Sequence, residues 1–186
     1  MSVTGAILCG GESSRMGQDK ATLMLSGRTM AKWVADAMTQ AGVNNIVTLG
    51  GEPQPDLVSL PDTRPGTGPL GALIGALETF GDVLICPCDV PLISQGVFTS
   101  VIEAAMTGEK PVVLVQSDHL QPLIGLYKKA AVDILATGYE QGARGPKQIL
   151  TPRDFDLVDA TIEEVQNINT PQEFEQLRDS LGASKS

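Results

Sequence analysis

The chain has 186 residues, 42% of them hydrophobic, enough for one domain with a substantial core and too few for two comfortable ones. Thirteen Lys and Arg against twenty-two Asp and Glu leave a formal net charge of −9, which argues against nucleic acid or an anionic membrane as the main partner and requires any anion to be held by a local basic cluster. No run approaches the ~20 apolar residues of a membrane span, no basic-then-apolar signal pattern opens the sequence, and three cysteines without a zinc pattern read as reduced, mostly buried thiols, so a cytoplasmic protein is expected.

The apolar run Val3 to Leu8 reads as a strand, and it leads directly into Leu8-Cys9-Gly10-Gly11-Glu12-Ser13-Ser14-Arg15-Met16-Gly17-Gln18-Asp19-Lys20. Glycines at 10, 11 and 17 free the backbone to turn its N–H groups on an anion, and Arg15 and Lys20 add two cationic charges. The spacing is neither that of a dinucleotide fingerprint nor that of a P-loop, so the stretch reads as an anion loop of its own kind.

Met30, Trp33, Val34, Ala37 and Met38 recur at helical spacing, with Gly42 as the stop and Trp33 as a core anchor. Asn45 to Leu49 reads as a second strand, followed by a loop from Gly50 to Pro55. The turn-rich stretch Asp62 to Gly68 enters a helix marked by Leu70, Leu73, Ile74 and Leu77, with Pro69 in its first turn. Such an entry offers free N–H groups to part of an anion, or is a plain loop-to-helix junction.

Val83, Leu84 and Ile85 run without alternation, as in a parallel strand buried on both faces. Cys86-Pro87-Cys88-Asp89-Val90-Pro91 follows, which puts Asp89 at the strand's carboxyl end, where ligands of parallel sheets sit. A carboxylate facing phosphates makes sense with a divalent cation between them, and magnesium takes one or two carboxylates plus phosphate oxygens. Ser94 is the better cap for the next helix, carried by Val97, Val101, Ile102 and Ala105.

Pro111 to Gln116 reads as a strand, Ser117 to Pro122 as a polar stretch, and Leu123 to Tyr127 as an apolar run. His119 is the single histidine and reads as a solvated loop residue, having no acidic or nucleophilic partner visible in sequence. Gln141 to Lys147 carries Arg144 and Lys147 on what is either a clamp for a second anion or a solvated loop. Thr170 caps a last helix with Pro171 first and Glu173 three residues on; Phe174, Leu177 and Leu181 face inward, and residues 182–186 are expected to be a disordered tail. The order of elements implies an α/β fold: residues 1–181 as one three-layer domain, a mostly parallel twisted sheet with helices on both faces.

Four separated motifs together resemble the molybdenum cofactor guanylyltransferases. They are Leu8-x-Gly10-Gly11-x-x-Ser14-Arg15-Met16-Gly17-x-x-Lys20, Gly68-Pro69-Leu70-Gly71, Cys86-Pro87-Cys88-Asp89-x-Pro91 and Asn167-Ile168-Asn169-Thr170-Pro171, and they span nearly the whole chain. The first is a signature of the wider nucleotidyltransferases; the last two lean toward the molybdenum cofactor branch. The resemblance implies a Rossmann-like nucleotidyltransferase fold and transfer of GMP from GTP to molybdopterin with release of pyrophosphate. It implies nucleotide contacts from Leu8, Cys9, Gly10, Gly11, Lys20, Asp62 and Asp89, catalytic roles for Arg15 and Lys20, and Mg2+ at Asp89 and Asn169. GTP and molybdopterin are the implied partners, with transient contact to molybdoenzymes or their chaperones, no nucleic acid, no membrane and a monomeric state. Three departures stand out: Cys9 and Gly71 where alanine is usual, and Gln121 where relatives often carry histidine before a proline. The first two exchange small for small; the third touches acceptor identity. Transfer of CMP or another nucleotide to a different phosphorylated metabolite, or a catalytically silent nucleotide-binding regulator, are the alternative readings.

Overall fold

The computed structural model describes residues 2–10, 23–60 and 67–183. In chain order the elements are β1 (Val3–Leu8), β2 (Met24–Leu25), β3 (Arg28–Thr29), α1 (Met30–Gln40), β4 (Asn45–Leu49), β5 (Val58–Leu60), α2 (Gly68–Phe80), β6 (Asp82–Pro87), α3 (Gln95–Thr107), β7 (Val112–Gln116), β8 (Leu120–Tyr127), α4 (Val132–Glu140), β9 (Phe155–Asp159) and α5 (Pro171–Ala183). Seven strands form one sheet in the order β5-β4-β1-β6-β8-β7-β9, and β2 and β3 form a separate small hairpin. The pairs β5–β4, β4–β1, β1–β6 and β7–β9 are parallel, while β8 runs antiparallel to both neighbours.

The predicted strand–helix order follows from local chemistry. Ala6, Ile7 and Val83 to Cys86 are fully buried, because β1 and β6 lie mid-sheet with helices over both faces. Thr29 caps α1 by accepting the Lys32 N–H, and Gly42 at φ +91° ends the turn beyond it, a conformation costly for other residues. Ser94 accepts the Val97 N–H at the start of α3, as predicted. At α5 the capping box is complete: Thr170 Oγ1 accepts the Glu173 N–H, and Glu173 Oε2 accepts the Thr170 N–H.

Alternation along the strands divides the core. Ile7, Cys86, Cys88 and Leu126 meet Val34 and Met38 of α1 and Phe98 and Val101 of α3. Ala6, Leu8, Ile85 and Tyr127 meet Leu73 and Leu77 of α2 and Leu135 of α4. A third, smaller cluster joins Leu25 and Met30 to Phe174 and Leu177 of α5. Trp33 is half-buried against this cluster, with its Nε1–H donating to the Leu25 carbonyl and the Arg28 guanidinium 5.3 Å above its ring.

The structure adds what the sequence reading left out. β5 and β9 are edge strands, β8 begins at Leu120, ahead of the apolar run, and α5 continues past Leu181 to Ala183. Residues 184–186 of the expected tail lie outside the described residues. Between Leu114 and Val115 the β7–β8 register shifts by a bulge, and at Gly125 a Cβ would stand 2.2 Å from the Val113 carbonyl oxygen. Gly125→Ala should therefore force the two strands apart, destabilising the fold by about 2 kcal/mol and lowering Tm by about 4–8 °C. An unchanged Tm would show that this pair separates without strain.

Candidate active site

The carboxyl ends of β5, β4, β1 and β6 are stitched into one ledge. The Gly50 N–H donates to the Leu60 carbonyl (3.1 Å), the Cys9 and Gly10 N–H groups both donate to the Leu49 carbonyl (3.0 and 3.2 Å), and the Cys88 N–H donates to the Leu8 carbonyl (3.0 Å). The loops beyond β1 and β4 touch backbone to backbone: Gly50 has φ +67°, and a Cβ there would lie 3.2 Å from the Gly10 Cα. This contact corrects one expectation. The Gly10 N–H serves the sheet edge and is not turned toward an anion. Of the predicted nucleotide contacts, Leu8 and Cys9 are buried beneath the ledge, and Gly10 is exposed on it.

Asp89 follows β6 on the same ledge, half-buried, with its Oδ1 buried. The Ile168 N–H donates to the Asp89 carbonyl at 2.8 Å, so the segment carrying Asn169 crosses directly beside it. Glu173 Oε2 also accepts the Asn169 N–H at 2.7 Å, which ties that segment to the first turn of α5. Further back, the Glu164 carboxylate accepts the Ser94 hydroxyl and the N–H and hydroxyl of Thr161. The three cysteines are buried free thiols. Burial, then the nearby negative charge of Asp89 and Cys88, pushes the Cys86 thiol well above its ordinary value, which keeps it from acting as a nucleophile at neutral pH.

Two further groups reach the same edge of the sheet. α2 starts there at Thr67 and Gly68, with Pro69 in its first turn, and the Arg144 carbonyl comes within 3.9 Å of a Cβ placed on Gly68. The Gln141–Lys147 stretch is ordered by its own contacts: Gln148 Oε1 accepts the Arg144 and Gly145 N–H groups, and the Arg144 guanidinium stacks 5.1 Å over Tyr139. The β7–β8 turn lies at the carboxyl end of β7 and holds His119 as an exposed turn residue, as expected, but the expectation that it has no acidic partner needs correction. Its Nδ1 is 2.6 Å from the Asp118 carboxylate and its Nε2 is 3.0 Å from the Gln121 amide nitrogen, so it does have an acidic partner. The signal was the neighbouring Asp118, which the turn brings against the ring.

Gly11, Arg15, Lys20 and Asp62 lie outside the described residues. A cleft of about 750 Å³ between α4 and Gln148–Ile149 includes none of the predicted site residues. Sequence reasoning missed Glu164 and Gly50, whose contacts depend on chain segments distant in sequence.

The sequence matches the MobA-like NTP transferase domain over residues 5–158. The chain belongs to this family. It is 31% identical over 187 residues to a probable molybdenum cofactor guanylyltransferase of Rhodopirellula baltica, covering 91% of this chain and 89% of that one. It is 29% identical over 191 residues to the molybdenum cofactor guanylyltransferase of Rhizobium meliloti, covering 91% and 88%. In fold it is similar to molybdopterin-guanine dinucleotide biosynthesis protein A from Archaeoglobus fulgidus, with a TM-score of 0.77 at 19% identity over 97% of this chain and 99% of that one.

Within this family fold, Glu164 is the joint that holds the Asn169 segment to α3. Burial opposes ionisation of Glu164, but the hydrogen bonds from Ser94 and Thr161 outweigh it and hold the carboxyl below its ordinary range. A carboxyl depressed in the folded state stabilises the fold fully above its unfolded value and loses that contribution as pH falls through the folded one. Glu164→Gln should therefore make the acid limb of the stability curve shallower below about pH 4.3, as read by chemical denaturation across pH. A limb parallel to that of the unaltered protein would show that the Ser94 and Thr161 bonds do not depend on ionisation.

Proposed function

We propose that the protein transfers GMP from GTP to the phosphate of molybdopterin, releasing pyrophosphate. The observation that carries this reading is the juxtaposition of Asp89 and the Asn169 segment at the carboxyl end of β6, beside the end of β1. The reading is supported by the names of relatives aligned over nine-tenths of the chain.

An acceptor phosphate is already a nucleophile, so the protein's task is to align it with the α-phosphorus and to offset the charge that gathers on the equatorial oxygens. Arg15 and Lys20, which follow β1 in the sequence, are assigned to that charge. Asp62 is assigned to the guanine edge, where N–H donors call for a protein acceptor. No covalent intermediate is needed.

Oxygen donors at Asp89 and Asn169 fit Mg2+, a hard cation that prefers carboxylate and amide oxygens completed by phosphate and water. Among the described residues no three His, Cys, Asp or Glu side chains gather around one point; substrate phosphates are the assigned partners that complete the coordination. When bound, Mg2+ would neutralise phosphate charge.

Pyrophosphate release measured across four NTPs, with and without molybdopterin, tests the reaction. GTP should be preferred, because a site built to pair with one base edge strands its own polar groups against another. Preference for CTP, or equal use of both, would defeat the guanine assignment. In the same assay Lys20→Ala should lose ~10²–10³-fold in rate while remaining folded; retention of more than about half the activity would remove Lys20 from the mechanism.

A further inference from the structure

The β7–β8 turn carries a chain of side-chain contacts that the proposed reaction has not used. The Ser117 hydroxyl donates to Asp118 Oδ1 at 2.9 Å, the same oxygen lies 2.6 Å from His119 Nδ1, and His119 Nε2 lies 3.0 Å from Gln121 Nε2. Asp118 and His119 are more than half exposed, whereas Gln121 is half-buried within β8. The Ser117 hydrogen bond, against desolvation and with the His119 hydrogen bond adding to it, holds the Asp118 carboxyl below its ordinary range. With its carboxylate accepting the Nδ1–H, Nε2 is left in that tautomer as the acceptor for one N–H of the Gln121 amide.

This fixes the amide. One N–H is turned to the ring, leaving Oε1 and the second N–H, an acceptor beside a donor, for a ligand. The backbone places that amide at the ledge. Gln121 pairs with Val115, and cross-strand partners share a face, so it sits on the side of the sheet that bears Val115, Cys88 and Val90. The bulge that sets this register is anchored by the buried Tyr127, whose hydroxyl donates to the Pro122 carbonyl.

We propose that Gln121 reads the acceptor, its amide held in one orientation by the Asp118–His119 pair so that Oε1 and the remaining N–H match a lactam edge, an N–H beside a carbonyl, such as a pterin ring presents. His119 and Asp118 act through Gln121 as positioning residues. This rests on the proposed transfer to a pterin phosphate.

The test is initial-rate kinetics on the full chain with GTP and Mg2+, varying molybdopterin in one arm and a phosphorylated sugar alcohol, which has no lactam, in the other. Gln121→Ala should raise KM for molybdopterin about tenfold while KM for GTP stays within about twofold. Gln121→Glu, nearly isosteric, should show a smaller rise in the same parameter. His119→Ala should follow Gln121→Ala in direction, and His119→Asn, whose side-chain oxygen can accept the amide N–H, should recover part of the loss. The unaltered protein should favour molybdopterin over the sugar phosphate, and Gln121→Ala should narrow that preference. An unchanged molybdopterin KM in Gln121→Ala, or equal rises for both substrates, would overturn the assignment. If the unaltered protein transfers no GMP to molybdopterin, the proposed reaction falls and takes this assignment with it, an outcome visible before any variant is measured.

Discussion

The fold depends on the parallel register of β4, β1 and β6. Leu8 lies between Leu49 and Pro87, so three strands end at one level and their following loops leave from one line. Parallel pairing cannot be closed by a tight turn; β1 reaches β4 through α1 and β5 reaches β6 through α2, while β4 reaches β5 through residues 50–57 without a helix. That requirement puts α1 and α3 on one face, α2 and α4 on the other, and every loop that follows a parallel strand at the same edge. The backbone bonds from Cys9, Gly10 and Cys88 then lock the loop starts to their neighbours.

A parallel ledge alone does not complete a site, since its loops come from one half of the chain. The remaining contribution comes from the segment after β9, which returns along the face of α1 and α3 with Val165 buried in that cluster. It is fastened at Glu164 to Ser94 and at Ile168 to Asp89. Two hydrogen-bonded anchors are cheap in surface but specific in geometry, and they deliver Asn169 beside Asp89 although the residues are far apart in sequence. The antiparallel β8 serves a similar purpose on its side, because only a strand of reversed direction begins at the ledge and so brings Gln121 to it.

Much of this was legible. The buried run Val83 to Cys86, the caps at Ser94 and Thr170 and the helix stop at Gly42 are local signals, and the structure contains each of them. The losses have physical reasons. β5 is three residues long between turn formers and exists because its neighbour β4 offers an open edge. β9, Phe-Asp-Leu-Val-Asp, buries Phe155 but leaves Leu157 exposed at the sheet edge, and it stands directly after the polar turn formers Pro152, Arg153 and Asp154, so no clear strand pattern marks it. Direction leaves no trace in an apolar run, so the core of β8 was legible as apolar and its reversal was not. The Gly10 N–H looked available because glycine marks anion loops; only the approach of Leu49 shows it engaged.

The central claim is that one edge of the sheet holds both substrates, with Asp89 and Asn169 at its centre. A crystal structure with a non-hydrolysable GTP analogue and Mg2+ tests it most directly. The account predicts the triphosphate above the ends of β1 and β6, and the cation against the Asp89 carboxylate with the Asn169 side chain beside it. A nucleotide seated in the cleft between α4 and Gln148–Ile149, or a cation bound away from Asp89, would contradict it.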